Sequence, residues 1–330
     1  MGSARLMAAL CGFLAVMSLV GATAIAQPAR ELNIALASTS FATAAPRLAK
    51  ELGLFEKRGL DARFTVLDNA NAATAALIAK SVDYAISGPG EIVAAHSRGQ
   101  PVVALANAYA GFSGTVVLAK SVAEKAGTAP GAPVAARLKA LDGLLIASPS
   151  PTGAYTVTLK AAAAAVGAQV RFTFMAQPAM LAALESGAIQ GFIGGAPFWA
   201  TAVAKGFGTL WMSGPKGEFS RDHIPAATAN LQTLRSNLEA QPAVIKRLQD
   251  VFADLGKAID ERPAEVKAAL ARLYPTLDAP TLDLLFAAEG RAWSTQPLTT
   301  RDMAHEIAYM KLGGAPIPRL DSLDPAAMLP

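Results

Sequence analysis

Cysteine is almost absent from this chain of 330 residues, and the single one, Cys11, lies near the amino terminus. One cysteine cannot form an internal disulfide, so stability must come from the burial of apolar surface. Lipid attachment at Cys11 is not expected, because the residue before such a cysteine should be small and Leu10 is not.

Charge is also scarce, since only 16% of the residues are charged and the formal net charge is +4. Adjacent basic residues occur only as Lys57-Arg58 and Lys246-Arg247. This scatter argues against a nucleic-acid surface. The hydrophobic fraction of 52% excludes a disordered chain, and the length suffices for two lobes with a core each.

Motifs for catalysis and metal binding are missing. The three histidines, His96, His223 and His305, are far apart and have no second ligand at metal spacing. There is no Gly-x-Ser-x-Gly and no Gly-x-x-x-x-Gly-Lys, and Gly206-Phe207-Gly208 lacks the third glycine of a dinucleotide-binding turn. We therefore expect no metal, no cofactor and no catalytic residues.

Residues 1–26 have the pattern of a secretory signal peptide. Arg5 is the only charge there, an apolar stretch follows, and Ala24-Ile25-Ala26 is a small-residue cleavage site. The alternative, an uncleaved membrane anchor, is disfavoured because the apolar core is short for a span. The sequence thus predicts export with cleavage after Ala26.

The rest of the chain is organised around Leu32–Phe64, which has the pattern of a βαβ unit. Apolar residues alternate over 32–36, a helical apolar face follows over 48–55, and a second strand begins near Phe64. Ligands of open parallel sheets bind beyond the carboxyl ends of the strands. The loop Ser38-Thr39-Ser40-Phe41 is therefore a candidate binding loop.

This region resembles a known family. Pro46 and Ala49 precede GLFEKRGL at 53–60, and looser matches continue in SVDYAISGPG (81–90) and GAIQGFIGGAPF (187–198). The pattern resembles the periplasmic substrate-binding proteins of nitrate, sulfonate and taurine ABC importers. The resemblance implies a type II periplasmic-binding-protein fold of class α/β, with two lobes, each a mostly parallel sheet flanked by helices, joined by a two-crossing hinge.

The predicted organisation follows from breaks in the α/β rhythm. After the signal peptide we expect lobe I over 27–112, lobe II over 113–211, and a return to lobe I with a helical tail over 212–330, mostly helical from Pro225 onward. The segments 74–90 and 180–198 share one order, in which a helix, a serine, an apolar strand and a Gly-Pro-containing stop follow each other. Two similar lobes facing one cleft would leave such a pattern.

A second candidate loop is Ser148–Tyr155, which joins an apolar strand to an alanine-rich helix. Amide groups at a helix N-terminus can hold an anion, and Ser150 or Thr152 would be a suitable cap. The alternative is an ordinary capped helix without a ligand.

The candidate ligand-binding residues share a position after a predicted strand or at a predicted crossing. They are Ser38, Ser40, Phe41, Gly88, Pro89, Tyr109, Phe112, Ser113, Ser150, Thr152, Gly153, Tyr155, Gly195, Pro197 and Phe198.

The expected function is that of a monomeric periplasmic protein that binds a small solute by hinge closure and delivers it to an inner-membrane ABC permease. A sulfonate, a taurine-like compound or a carboxylate is the first choice of solute, and a flat heteroaromatic such as a pyrimidine or vitamin precursor is the alternative. An exported lyase-type enzyme and the sensing module of a receptor are further alternatives. A thiamine-pyrimidine synthase would have a related fold, but its cysteine-rich motif is missing here.

The cleavage site gives a first testable prediction. Protein expressed from its own gene and recovered from the periplasm should begin at Gln27, because Ala24-Ile25-Ala26 fits the signal peptidase. Intact-mass measurement checks this. A periplasmic mass that still contains residues 1–26 would contradict it.

Overall fold

A computed structural model describes residues 29–293, 296–314 and 317–330. The predicted signal peptide, its cleavage site and Cys11 lie outside the described residues. The strands are β1 (Arg30–Leu36), β2 (Leu60–Val66), β3 (Tyr84–Ser87), β4 (Val102–Ala110), β5 (Thr115–Ala119), β6 (Leu145–Ser148), β7 (Arg171–Phe174), β8 (Gly191–Gly194), β9 (Gly208–Ser213) and β10 (Ala227–Leu234).

The helices precede, connect and follow these strands. They are α1 (Ala45–Glu51), α2 (Leu54–Lys57), α3 (Ala70–Ile78), α4 (Pro89–Ser97), α5 (Lys120–Glu124), α6 (Val134–Lys139), α7 (Ala154–Ala164), α8 (Gln177–Glu185), α9 (Phe198–Ala204), α10 (Arg235–Ala240), α11 (Pro242–Glu261), α12 (Pro263–Leu273), α13 (Ala279–Glu289) and α14 (Thr300–Leu312).

The strands form two five-stranded sheets with the same topology. Their orders are β2-β1-β3-β10-β4 and β7-β6-β8-β5-β9. In each sheet one strand, β10 or β5, runs antiparallel to both neighbours, and the others are parallel to each other. The antiparallel strand is in both cases the first strand after the chain has crossed from the other sheet. This confirms the predicted two-lobed α/β fold.

The repeat seen in the sequence is also confirmed. The segments 74–90 and 180–198 supply β3 and β8, and these strands occupy the same position in the two sheets. β3 is parallel to its neighbour β1, and β8 is parallel to its neighbour β6. The segment after β3 therefore lies at the same edge of the sheet as the loop after β1, and the segment after β8 at the same edge as the loop after β6.

Both faces of the first sheet are covered, which explains why β1 has buried apolar residues on both of its faces. Leu32, Ile34 and Leu36 pack into one core with α1, α11 and α12, whereas Ala35 packs into a second core with α4 and α14. Parallel strands covered on both faces are rich in apolar residues for this reason.

The GLFEKRGL motif forms the connection from α1 to β2. Gly53 and Gly59 have φ values of 68° and 65°, a left-handed conformation that residues with a Cβ rarely adopt. Between them, Arg58 donates to Asp254 on α11. The motif thus makes two tight turns and attaches them to the tail.

The segment after Pro225 is mostly helical, as expected, but it begins with a strand that the sequence analysis did not predict. β10 inserts between β3 and β4, and its polar residues Asn230, Gln232 and Thr233 are buried. Gln232 Nε2 donates to the carbonyl of Gly88 and Thr233 Oγ1 to that of Asp83. Tertiary hydrogen bonds therefore stabilise a strand that an apolar pattern does not reveal. The sequence pattern also did not reveal β7, a short strand at the edge of the second sheet.

The tail contacts both lobes. Tyr309 on α14 is buried, and its hydroxyl lies 2.9 Å from Thr158 Oγ1 and donates to the carbonyl of Ala154 at 2.8 Å, both on α7 of the second lobe. On its other side α14 packs on α4 of the first lobe. In the described part of the chain, no helix combines the length and apolar character of a membrane span.

The second lobe contains a buried ion pair. Arg137 on α6 is 4% exposed; it donates to the carbonyl of Trp211 and, at 2.9 Å, to Glu218 Oε1. Burial alone would raise the pKa of Glu218, but hydrogen bonds from Arg137 and from the Ser213 N–H hold this pKa below its ordinary value. Arg137 therefore connects α6, β9 and the segment that leaves the second lobe.

We predict that Arg137→Met lowers the free energy of unfolding by about 3 kcal/mol, because Glu218 and the Trp211 carbonyl lose their partner in a largely buried site. Urea unfolding followed by tryptophan fluorescence measures this. The matched control is Lys139→Met on the exposed face of the same helix, for which a change within about 0.5 kcal/mol is expected. Equal effects of the two variants would contradict a stabilising role for Arg137.

Candidate functional site

The two sheets enclose a cleft of about 550 Å³, a volume that includes its open mouth. Its first wall comes from the loop after β1 and the start of α4, and its second from the loop after β6 and the first turn of α7. Because parallel strands end at the same edge, these loops lie together although they are distant in sequence.

The lobes touch across this cleft. The backbone N–H of Phe41 donates to the carbonyl of Ala196 at 2.7 Å. At the mouth, Thr152 Oγ1 donates to Asn71 Oδ1 at 3.1 Å. Loops of the first lobe thus meet loops of the second in this structure.

Hydroxyl groups of the first wall bond to one another. Ser38 Oγ lies 2.8 Å from Ser40 Oγ, and Thr43 Oγ1 donates to the carbonyl of Ser38 at 2.7 Å. Ser87 Oγ donates to the carbonyl of Ala70. These hydroxyls are engaged within the protein, which holds the loop after β1 in a fixed shape.

The second wall is built on the N-terminus of α7. The N-cap is Gly153, without a side-chain cap, so the expectation that Ser150 or Thr152 caps this helix was wrong. Ser150 Oγ instead accepts the Gly153 N–H at 3.0 Å. A Cβ on Gly153 would lie 2.6 Å from that oxygen, so the close approach requires glycine.

Glu91, in the first turn of α4, is the charged side chain of the cleft wall. It is only 4% exposed, and its Oε1 has no hydrogen-bond partner among the described residues. Burial raises the pKa of Glu91 to about 7, although backbone N–H groups at 88 and 91 oppose the shift. A Cβ on Gly153 would lie 4.0 Å from Oε1, so the carboxyl group faces the N-terminus of α7 across the cleft.

A second buried carboxyl group lies behind Glu91. Glu306 on α14 accepts the Ala226 N–H at 2.9 Å, and burial, with a contribution from Glu91, raises its pKa to about 8. A Cβ on Gly90 would lie 3.2 Å from Glu306 Oε1, so α14 packs directly against the start of α4. The two acids make this side of the cleft a source of negative potential when either is ionised.

Tyr155 closes the inner end of the cleft. Its hydroxyl lies 2.8 Å from Ser113 Oγ, and its ring packs edge-on against Phe112 at a centroid distance of 5.8 Å. Burial raises the pKa of Tyr155 above its ordinary value, so the phenol stays neutral. It offers an aromatic surface and a hydroxyl beside the hinge crossing.

The structure brings some of the sequence-predicted site residues to the cleft wall and not others. On the wall are Ser38, Ser40, Gly88, Ser150, Gly153 and Tyr155. Away from it are Phe41, Pro89, Tyr109, Phe112, Ser113, Thr152, Gly195, Pro197 and Phe198.

Two of the aromatic candidates have other partners. Phe41 is buried against Trp293, whose indole N–H donates to the Phe41 carbonyl at 2.7 Å. The hydroxyl of Tyr109 donates to the buried Glu289 at 2.9 Å, and burial raises the pKa of Glu289 to about 7. Both rings therefore belong to the core of the first lobe.

Sequence reasoning missed several residues of the wall. Besides Glu91 they include Thr43, Asn69, Ser87, Gln177 and Thr228. Glu91 follows the Gly88-Pro89-Gly90 stop, and an acidic residue in the first turn of a helix after a strand could have been noticed. Thr228 lies on β10, which the sequence pattern did not reveal.

Metal binding has no support in the described residues, since no three His, Cys, Asp or Glu side chains cluster there in a way that could hold an ion. The arrangement can enclose a small molecule, exclude water from it and offer hydroxyls, an aromatic ring and one unpaired carboxyl oxygen.

Comparison with known proteins identifies the family of this chain. A model of the NMT1-like family matches residues 26–274, about three quarters of the chain. Among curated proteins, none matches the chain.

Solved structures with the same fold include three solute-binding proteins. The alkanesulfonate-binding protein SsuA from Xanthomonas axonopodis pv. citri, bound to MOPS, has a TM-score of 0.70 and 17% identity, with 89% of this chain and 96% of that chain covered. The periplasmic aliphatic sulphonate binding protein SsuA from Escherichia coli gives 0.68 and 16%, with 91% and 97% covered. The periplasmic nitrate-binding protein NrtA from Synechocystis PCC 6803 gives 0.67 and 14%, with 89% and 85% covered. This chain is similar to each of them in fold.

The contact at the mouth gives a prediction about closure. Asn71→Ala and Thr152→Ala each remove an interlobe hydrogen bond of about 0.5–1.5 kcal/mol, so either should lower the closing equilibrium constant about two- to tenfold. Double electron–electron resonance between one spin label on each lobe measures the closed fraction. The double variant should add nothing to either single variant. Additive effects would show that the two side chains act separately.

Proposed function

The chain belongs to the NMT1-like family, and from this premise we propose that it is the periplasmic solute-binding component of an ABC importer, which captures a small solute by closing its two lobes and delivers it to an inner-membrane permease. The observation that carries the proposal is the cleft whose walls come from both lobes. The names of the similar structures, sulfonate- and nitrate-binding periplasmic proteins, support the same class of function.

The mechanism follows from the contacts between the lobes. A solute favours closure only through contacts that it gains in the closed form. Here the loop after β1 and the start of α7 both reach the cleft, so a bound solute touches both lobes and stabilises contacts such as that between Phe41 and Ala196. The two crossings, at 111–114 and 214–226, are the segments about which the lobes would rotate.

Two classes of solute are candidates. A sulfonate or carboxylate is supported by the N-terminus of α7 at the cleft wall and by the names of the similar structures. A nitrogen-containing heteroaromatic is supported by Tyr155 and by the free oxygen of Glu91. Binding rather than catalysis is proposed for either.

The proposal is tested by incubating the purified protein with a metabolite extract of its own cells, removing unbound compounds and identifying the retained solute by mass spectrometry. We expect one retained solute, recovered with its mass unchanged after prolonged incubation with fresh protein. A changed mass would indicate the lyase alternative. Failure to retain any solute would overturn the proposed function.

A variant at Gly195 tests the closing motion. A Cβ there would lie 2.9 Å from the Tyr155 hydroxyl of the same lobe and already in van der Waals contact, at 3.5 Å, with Ser40 Cβ of the first lobe. The two further methyl groups of Gly195→Val should therefore hold the lobes apart and weaken solute binding by about 1–3 kcal/mol. X-ray scattering should show a radius of gyration that no longer falls when the retained solute is added. The control is Gly131→Val, where nothing lies within 4 Å of the added Cβ. Wild-type closure in Gly195→Val would contradict the prediction.

A further inference from the structure

We propose that Glu91 makes the cleft selective for a solute that presents a hydrogen-bond-donating nitrogen, such as a protonated amine, an amidine or an amino-heterocycle, over a sulfonate or carboxylate of similar size. This inference rests on the proposed function and names the substrate class of the same cleft.

The position of Glu91 is the first support. Glu91 is only 4% exposed, and its side chain lines the cleft. Its Oε1 has no partner within the described chain. A buried acceptor without a partner is costly, and a donor on the solute would remove this cost.

The charge of the surroundings is the second support. Of the described residues that line the cleft, none is Lys, Arg or His. Arg47, one turn beyond the loop after β1, does not line the cleft, and its Nη2 donates to the Thr39 carbonyl and to the Tyr274 hydroxyl. Glu306, behind Glu91, is a second acid on the same side. A cationic group in the cleft would be attracted by Glu91, and an anionic group would have no cationic side chain to pair with there.

The N-terminus of α7 is the third support, because its positive end already faces a carboxyl group of the protein. Ser150 takes the Gly153 N–H, and Glu91 Oε1 approaches to 4.0 Å from the place of a Gly153 Cβ. The carboxyl group of Glu91 thus faces the start of α7 without a hydrogen bond to it, and an acidic group of the solute bound there would lie beside a second acid.

A protonated Glu91 could also donate a hydrogen bond to an anionic solute, and a glutamine separates the two cases. The amide of Glu91→Gln keeps the shape and a donor but has no negative charge. An anion would bind this variant as well as it binds wild type, whereas a nitrogen donor that needs the carboxylate would not.

The experiment uses two pairs of probes with matched shape, benzamidinium with benzoate and butylammonium with butyrate. Calorimetric titration compares the dissociation constants of wild type, Glu91→Gln and Glu289→Gln. The last variant neutralises an acid that is equally buried but lies away from the cleft wall. Thermal unfolding of each variant verifies that it is folded.

We expect wild type and Glu289→Gln to prefer the cationic member of each pair, and Glu91→Gln to lose roughly ten- to hundredfold affinity for it, as for a lost hydrogen bond to a charged group. A wild-type preference for the anions, no preference, or an unchanged preference in Glu91→Gln would overturn the inference. The solute retained from the metabolite extract gives an independent reading. A retained sulfonate or carboxylate without a donor nitrogen would overturn this inference and leave the proposed function standing, whereas retention of no solute would overturn the function itself.

Discussion

Parallel pairing in two separate sheets is the constraint on which the cleft depends. β1 lies between β2 and β3, and β6 lies between β7 and β8, with all strands of each triplet in the same direction. The loops that follow the parallel strands therefore lie at one edge of each sheet, and these two edges face each other across the cleft. The helices that follow β3 and β6 begin at that edge, so the cleft receives helix N-termini from both lobes. Where the backbone must approach a side chain closely, as Gly153 approaches Ser150, glycine makes the approach possible.

The sequence predicted the parts of this arrangement that depend on local pattern. The apolar alternation in β1, the turn glycines of GLFEKRGL and the strand ends after β3 and β8 are all short-range signals. The position of the cleft follows from them, because parallel strands bring their ends together. The strand β10 could not be predicted in this way, since Gln232 and Thr233 are stabilised in the interior by carbonyls about 150 residues away.

Local pattern also could not show which aromatic residues line the cleft and which lie in the core. Phe41 follows a strand and Tyr109 lies at the end of one, as binding residues do, yet their partners are Glu289 and Trp293, which belong to the distant tail. Glu91, by contrast, looks like an ordinary first-turn acid in the sequence, and its burial and raised pKa follow from residues packed around it in the folded chain. Burial of one carboxyl group at a cleft wall is a tertiary property that local pattern does not contain.

The order of strands also has a consequence for how the protein is made. Among the described strands, β4 is hydrogen-bonded only to β10, which also separates it from β3. The first sheet therefore stays incomplete until residues 227–234 have left the ribosome. The second sheet consists of the consecutive strands β5 to β9, which are all synthesised before β10. The lobe that begins first is therefore the one that finishes last, and during synthesis the apolar edge of β4 is exposed for more than a hundred residues. An unpaired strand edge of this kind would have to be shielded from other chains until β10 has been made.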